Sequence, residues 1–121
     1  MNRTLKVLVV DDQEIICELI AAHLSGDGHE PTTLSDAIEA LAQFDGGNFD
    51  LVITDQSMPG MSGEQLATKI KEKKPGTPVI MLTGFGDDVF TDGKAPAGVD
   101  RVLSKPVASE QLRRAIFEVT S

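Results

Sequence analysis

Val7-Leu8-Val9-Val10-Asp11-Asp12 is apolar for four residues and then abruptly acidic. A strand built from Val7 to Val10 has no polar face, so it must be covered on both sides, as strands of parallel sheets are. The same pattern recurs along the chain. Leu51-Val52-Ile53-Thr54 runs into Asp55, Val79-Ile80-Met81-Leu82 into Thr83, and Val102-Leu103 is soon followed by Lys105. Segments of helical apolar spacing separate these runs, and alternating β and α elements imply a doubly wound α/β sheet. The polar residues that close the runs then share the carboxyl edge of that sheet. Ligands bind along this edge in open α/β folds, beside the point where strand order reverses.

The remaining elements follow outward from these runs. A first strand is expected over residues 5–10, and Asp11-Asp12 opens a helix with Ile16, Leu19, Ile20 and Leu24 inward. Gly26 and Gly28 end that helix. A second strand near 29–34 contains Pro31, which lacks a ladder donor and so belongs at a sheet edge. Ser35 is expected to cap a second helix with Ile38, Leu41 and Ala42 inward, stopped by Gly46-Gly47. After a third strand at 49–54, Ser62 and Gln65 have capping-box spacing. The helix they open carries Leu66 and Ile70 inward and ends in Lys71, Lys73 and Lys74, where cations suit the dipole, before Pro75.

A fourth strand is expected at 78–82 and a fourth helix within 86–98, where Gly93 and Pro96 fall. Each is costly inside a helix, about 1 and 3 kcal/mol, so this helix is expected to be short or irregular. A fifth strand at 100–103 leads to Lys105-Pro106, and a last helix from about 109 buries Leu112, Ile116 and Val119.

At 121 residues the chain is expected to form one domain over 1–121. A net charge of −8 argues against a nucleic-acid binder, which needs a basic face. The lone Cys17 excludes an internal disulfide and suits a reducing compartment. No apolar run reaches the ~20 residues of a membrane span, nor does the N-terminus carry a signal peptide's apolar core, so the expected location is cytoplasmic.

Taken singly, Asp11-Asp12 reads as a helix cap, Lys105 as a solvated lysine and Thr83 as a strand residue. Taken together they describe a site. If the first and third strands are neighbours, Asp11, Asp12 and Asp55 form a carboxylate cluster. Two carboxylates ~4 Å apart repel by about 4 kcal/mol at an effective dielectric of 20, so a cation or a retained proton must relieve them. Oxygen-only ligands with open water positions suit Mg²⁺. Asp55 has the chemistry of a nucleophile that accepts a phosphoryl group as an acyl phosphate. The Lys105 ammonium and the Thr83 hydroxyl would hold phosphoryl oxygens, since this transfer depends on positioning and charge neutralisation.

At this point the chain resembles the receiver domains of bacterial two-component response regulators. The motifs that carry the resemblance are Asp11-Asp12, the stretch Asp55-Gln56-Ser57-Met58-Pro59-Gly60-Met61-Ser62-Gly63, Leu82-Thr83-Gly84, and Lys105-Pro106. The resemblance implies a five-stranded parallel sheet of order 2-1-3-4-5 flanked by five helices. It implies Asp55 as phosphoacceptor, Asp12 as a direct Mg²⁺ ligand, Asp11 as one acting mostly through water, and Ser57 as a ligand through its carbonyl. Lys105 would hold a phosphoryl oxygen, Thr83 would move inward to bond another, and Lys105-Pro106 would commonly be cis. Gly84 would leave the site open to a donor. The implied partners are a histidine kinase or phosphotransfer domain, or a small phosphodonor such as acetyl phosphate, and a downstream output protein or attached domain. No external substrate turnover is implied.

Two positions depart from the family pattern. Many receivers carry an aromatic three residues before the lysine, and here that position is Val102, in a chain without Tyr or Trp. Activation is therefore expected to run through backbone shifts near 84–98. Phe85, two residues after Thr83, is expected to obstruct the attacking water and slow hydrolysis. His23 and His29 lack metal-ligand spacing, Cys17 reads as a small core residue, and Gly84-Phe85-Gly86 lacks the lysine-serine signature of a P-loop. The alternative is a non-phosphorylated module of the same fold used for interaction or dimerisation. A small-molecule aspartyl-phosphate hydrolase would need a second Asp two residues after Asp55, and Ser57 stands there.

Overall fold

A computed structural model describes residues 4–84 and 96–120. The elements are β1 (Lys6–Val10), α1 (Glu14–Gly26), β2 (Glu30–Leu34), α2 (Ala37–Gly46), β3 (Leu51–Asp55), α3 (Gly63–Lys73), β4 (Val79–Thr83), β5 (Arg101–Ser104) and α4 (Ser109–Thr120). All strands pair in parallel, in the order β2-β1-β3-β4-β5. This is the doubly wound sheet expected, with Pro31 on the edge strand β2. Four helices lie among the described residues. The irregular helix expected within 86–98, and Phe85, fall outside the described residues as far as residue 95.

The alternation of side chains along each strand divides the core in two. Val7 and Val9 of β1, Ile53, Ile80 and Leu82 pack with Ile20 and Leu24 of α1 and Leu112 and Ile116 of α4. Leu8 and Val10, Val52, Val79 and Met81 pack on the other side with Ala37, Ala40 and Phe44 of α2 and Leu66 and Ile70 of α3. Every residue of β3 and β4 is buried. No helix among the described residues is long and apolar enough to cross a membrane.

Two helix faces differ from the sequence reading. In α1 the buried stripe is Cys17, Ile20 and Leu24, spaced i, i+3, i+7, and Leu19 is 41% exposed. Cys17 is the small core residue expected, Ile20 and Leu24 are inward as read and Ile16 is partly buried beside them, so Leu19 alone of the expected inward residues turns to solvent. In α2 the cap is Asp36, whose side chain accepts from the N–H groups of Ile38 and Glu39, and not Ser35. The face that packs is Ala37, Ala40 and Phe44, with Leu41 partly buried, leaving Ile38 62% exposed and Ala42 exposed. Small alanines let the helix approach the sheet, while Phe44 stacks on Phe49 with ring centroids 6.4 Å apart. Bulk therefore went to the end of the helix and not its middle.

α1 starts from an N-cap at Gln13 that makes no side-chain capping bond, so Asp11-Asp12 precede the helix and do not cap it, whereas the signals at α3 hold. Ser62 Oγ accepts from Gln65 N at 3.1 Å and Gln65 Oε1 accepts from Ser62 N at 2.9 Å, a complete capping box. α4 buries Leu112, Ala115 and Ile116, with Val119 packed beside them. Just past α1, Gly28 has φ +87°, a backbone that glycine adopts without strain.

Candidate functional site

From β1 the chain steps to β2 on one side, then returns to lay β3 on the other side of β1. The reversal opens a crevice between the carboxyl ends of β1 and β3. Val10 pairs with Thr54, so Asp11 and Asp55 stand one step further along neighbouring strands. Oxygens of Asp11, Asp12 and Asp55 lie within 4.8 Å of one another. Asp11 is fully buried, Asp55 is 7% exposed, and Asp12 faces solvent.

Lys105 enters from the far strand. Its N–H donates to Thr83 O at 2.8 Å, which extends the β4–β5 pairing beyond the last registered pair, Thr83 with Ser104. From there its ammonium lies 3.0 Å from Asp55 Oδ1 and 3.0 Å from Asp11 Oδ2. The Lys105-Pro106 peptide is cis. Asp55 Oδ1 also accepts from Gln56 N at 2.8 Å, and Asp11 Oδ1 from Gln13 N at 2.9 Å. Asp11 Oδ2, though paired in charge with Lys105, is a buried oxygen with no hydrogen bond among the described residues. The Lys105 ammonium 3.0 Å away is what compensates its burial.

These contacts set opposing electrostatic pulls. Burial raises the Asp55 pKa above the ordinary carboxylate value; Lys105 opposes the rise and the Asp11 charge adds to it. Burial works to lower Lys105, but its bonds to Asp11 and Asp55 outweigh that, and the ammonium is held above its usual range. One lysine is shared by two carboxylates, with a third beside them. The arrangement has room for further positive charge and fits a divalent cation bound by oxygen.

Of the site residues read from the sequence, Asp11, Asp12, Asp55 and Lys105 come together here, and Ser57 lies in the loop just after β3. Thr83 is fully buried at the end of β4, and its hydroxyl donates to Gln56 Oε1 at 2.9 Å. Gly84 is exposed. Val102 packs partly buried among the Leu8 and Val10 side chains' cluster. His29 Nδ1 accepts from Leu5 N at 3.1 Å, a packing role. A cavity of about 380 Å³, lined by Phe49, Lys74, Pro78 and Val119 among others, lies at the opposite end of the strands and holds none of these groups.

Three supporting residues were not legible as such. Cys17 Sγ–H donates to the Asp11 carbonyl at 3.3 Å and so pins the strand end; burial, with the Asp11 charge, pushes its thiol up. Gly63 N donates to Gln56 O at 2.8 Å. Gln56 itself joins Asp55 to Thr83. Only the dense glycine and small-residue run from Met58 to Gly63 hinted that the backbone comes close there.

Residues 7–117 match the family model described as the response regulator receiver domain. Transcriptional regulatory protein TcrA of Mycobacterium tuberculosis (strain ATCC 25618 / H37Rv) is 33% identical over 107 residues, 88% of this chain and 42% of that protein. The chain spans less than half the length of the curated relatives it matches. Among solved structures, a response regulator receiver domain protein from Clostridium thermocellum superposes with a TM-score of 0.85 at 37% identity, covering 96% of this chain and 94% of that one. The response regulator TrrA from Thermotoga maritima, solved in complex with Mg²⁺-BeF, has a TM-score of 0.82 at 33% identity and covers 96% and 99% of the two chains.

Proposed function

This chain belongs to the response regulator receiver family, and from that premise we propose that it is a phosphorylation-dependent switch whose phosphoacceptor is Asp55. The observation that carries the reading is the Lys105 ammonium held 3.0 Å from both Asp55 and Asp11 at the sheet's carboxyl edge. A carboxylate oxygen of Asp55 attacks the phosphorus of a phosphohistidine or of acetyl phosphate. The new O–P bond forms as the P–N or P–O bond to the donor breaks, and that electron pair leaves with imidazole or acetate. Lys105 neutralises charge on the transferred group, and the Thr83 hydroxyl donates to one of its oxygens.

Asp11, Asp12, Asp55 and the Ser57 carbonyl would hold Mg²⁺, and the three clustered carboxylates, two of which share one lysine, fit such an ion. When bound, Mg²⁺ offsets the clustered negative charge and polarises phosphoryl oxygens. The phosphodonor is a histidine kinase or phosphotransfer domain, and the altered face is read by an output domain or partner. The intact set of acceptor, lysine and threonine disfavours a purely structural module.

Incubation with Mg²⁺ and acetyl phosphate, followed by intact mass, tests the reading. Wild type gains one phosphoryl group and Asp55→Asn gains none. Failure to gain mass together with failure to bind beryllofluoride would leave the interaction-module reading in its place.

A further inference from the structure

We propose that Gln56 is a latch: its side-chain carbonyl holds the Thr83 hydroxyl in the resting position and must release it before Thr83 can serve a phosphoryl group. The inference rests on the switch reading above and adds to it a residue that positions Thr83.

The Thr83 hydroxyl donates to Gln56 Oε1 at 2.9 Å, across 27 residues of chain. Thr83 is fully buried and Gln56 partly so, which shelters this bond from competing water. A hydroxyl has one proton to donate. Directed at Gln56, it is not directed at an oxygen on Asp55. The backbone of Gln56 is tied on both sides. Its N–H lies 2.8 Å from Asp55 Oδ1 and 2.9 Å from Leu82 O, and its carbonyl accepts from Gly63 N at 2.8 Å. The main chain therefore stays, and the side chain is the part able to let go.

The geometry also links acceptor and latch. The amide N–H of Gln56 bonds the Asp55 oxygen that Lys105 contacts, while the side chain of the same residue bonds Thr83. A change in charge or position at Asp55 is felt directly at the residue that retains the threonine. Gln56 thus joins the acceptor carboxylate to Thr83 through polar contacts, in a chain whose position 102 is valine.

The test is a double-variant cycle. Wild type, Gln56→Met, Thr83→Ala and the double variant are titrated with beryllofluoride at saturating Mg²⁺ by calorimetry. Gln56→Met, similar in length but without an amide, is expected to bind about five-fold more tightly than wild type, the size of one net hydrogen bond. In the Thr83→Ala background the same substitution changes nothing. Gln56→Asn keeps an amide but withdraws it by one methylene. It gives the same gain and guards against a packing or folding effect peculiar to methionine.

The Thr83 methyl resonance supplies a readout without metal or phosphoryl mimic. In Gln56→Met it moves toward its beryllofluoride-bound position in wild type. Equal affinity in wild type and both Gln56 variants overturns the latch, as does an undiminished gain in the Thr83→Ala background. Wild type that takes up neither beryllofluoride nor phosphoryl overturns the switch reading and the latch with it, an outcome distinct from normal wild-type binding that Gln56 does not affect.

Discussion

Gly63 packs so closely on Asp55 that a Cβ there would stand 2.1 Å from the Asp55 carbonyl oxygen and 3.1 Å from its carbon. No side chain fits in that space, because the obstacle is backbone and cannot rotate away. The same carbonyl accepts from the Thr54 hydroxyl at 3.0 Å, and Gly63 N bonds the next carbonyl, that of Gln56. The first turn of α3 is in this way clamped onto the strand end that presents the acceptor carboxylate.

Gly63→Ala is accordingly expected to lose roughly 3 kcal/mol of stability, at the upper end of ordinary overpacking costs. Urea unfolding would register it as a lower midpoint at unchanged slope. Amide shifts of Asp55 and Gln56 should move with it. A loss under about 0.5 kcal/mol, within the range of a neutral surface change, would show that α3 slides aside without cost.

Lys105 holds two carboxylates, one of them fully buried. Lys105→Met leaves Asp11 without its cation. Removing one partner of a buried pair costs about 3 kcal/mol, so a drop of that order is expected in chelator-treated protein, read again by urea. Mg²⁺ should restore a larger share of stability to this variant than it adds to wild type. Equal Mg²⁺ responses would show that Lys105 and the cation do not share the same charge.

Asp55 carries a pH dependence whose sign follows from its raised pKa. Between its ordinary value and the raised one, the folded protein binds more protons than the unfolded chain, so stability falls as pH rises through that window. At neutral pH the ionised carboxylate is a burden that Asn lacks. In chelator, Asp55→Asn should therefore melt above wild type at pH 7, by several degrees for a gain of ~1 kcal/mol. The gap should narrow toward about pH 4, near the ordinary carboxylate range. A gap that widens on acidification contradicts the assignment.

Mg²⁺ should raise the melting temperature of wild type, since binding only the native state stabilises it by about 2.7 kcal/mol at a hundred times Kd. Asp12→Ala removes an exposed ligand without opening the core and should abolish the response while raising the metal-free melting point slightly. Persistent stabilisation of that variant by Mg²⁺ would put the ion elsewhere.

Much of this is written in the sequence. The apolar runs that end in Asp11, Asp55 and Thr83 marked both the strands and the edge on which chemistry gathers, and Pro31 marked the outer strand. Ser62 and Gln65 marked the start of α3 to the residue. The inward faces of α1 and α2 were read less well, because Leu19 and Ile38 look like core residues by composition yet face solvent. In α2 the small Ala37 and Ala40 face the sheet instead, and only the distance between helix and sheet makes a small residue the better fit.

The sequence by itself determined what depends on short-range order: which segments are strands, which polar groups close them, and therefore that three carboxylates, a hydroxyl and an ammonium share one edge. Period and turn chemistry act between near neighbours and are written locally. Tertiary structure alone decided that one Lys105 bridges Asp11 and Asp55, that Gly63 must be bare, and that Gln56 holds Thr83. Those are contacts of a few ångströms between residues far apart in the chain, and they exist only once the sheet order and the packing of α3 bring separate backbones together.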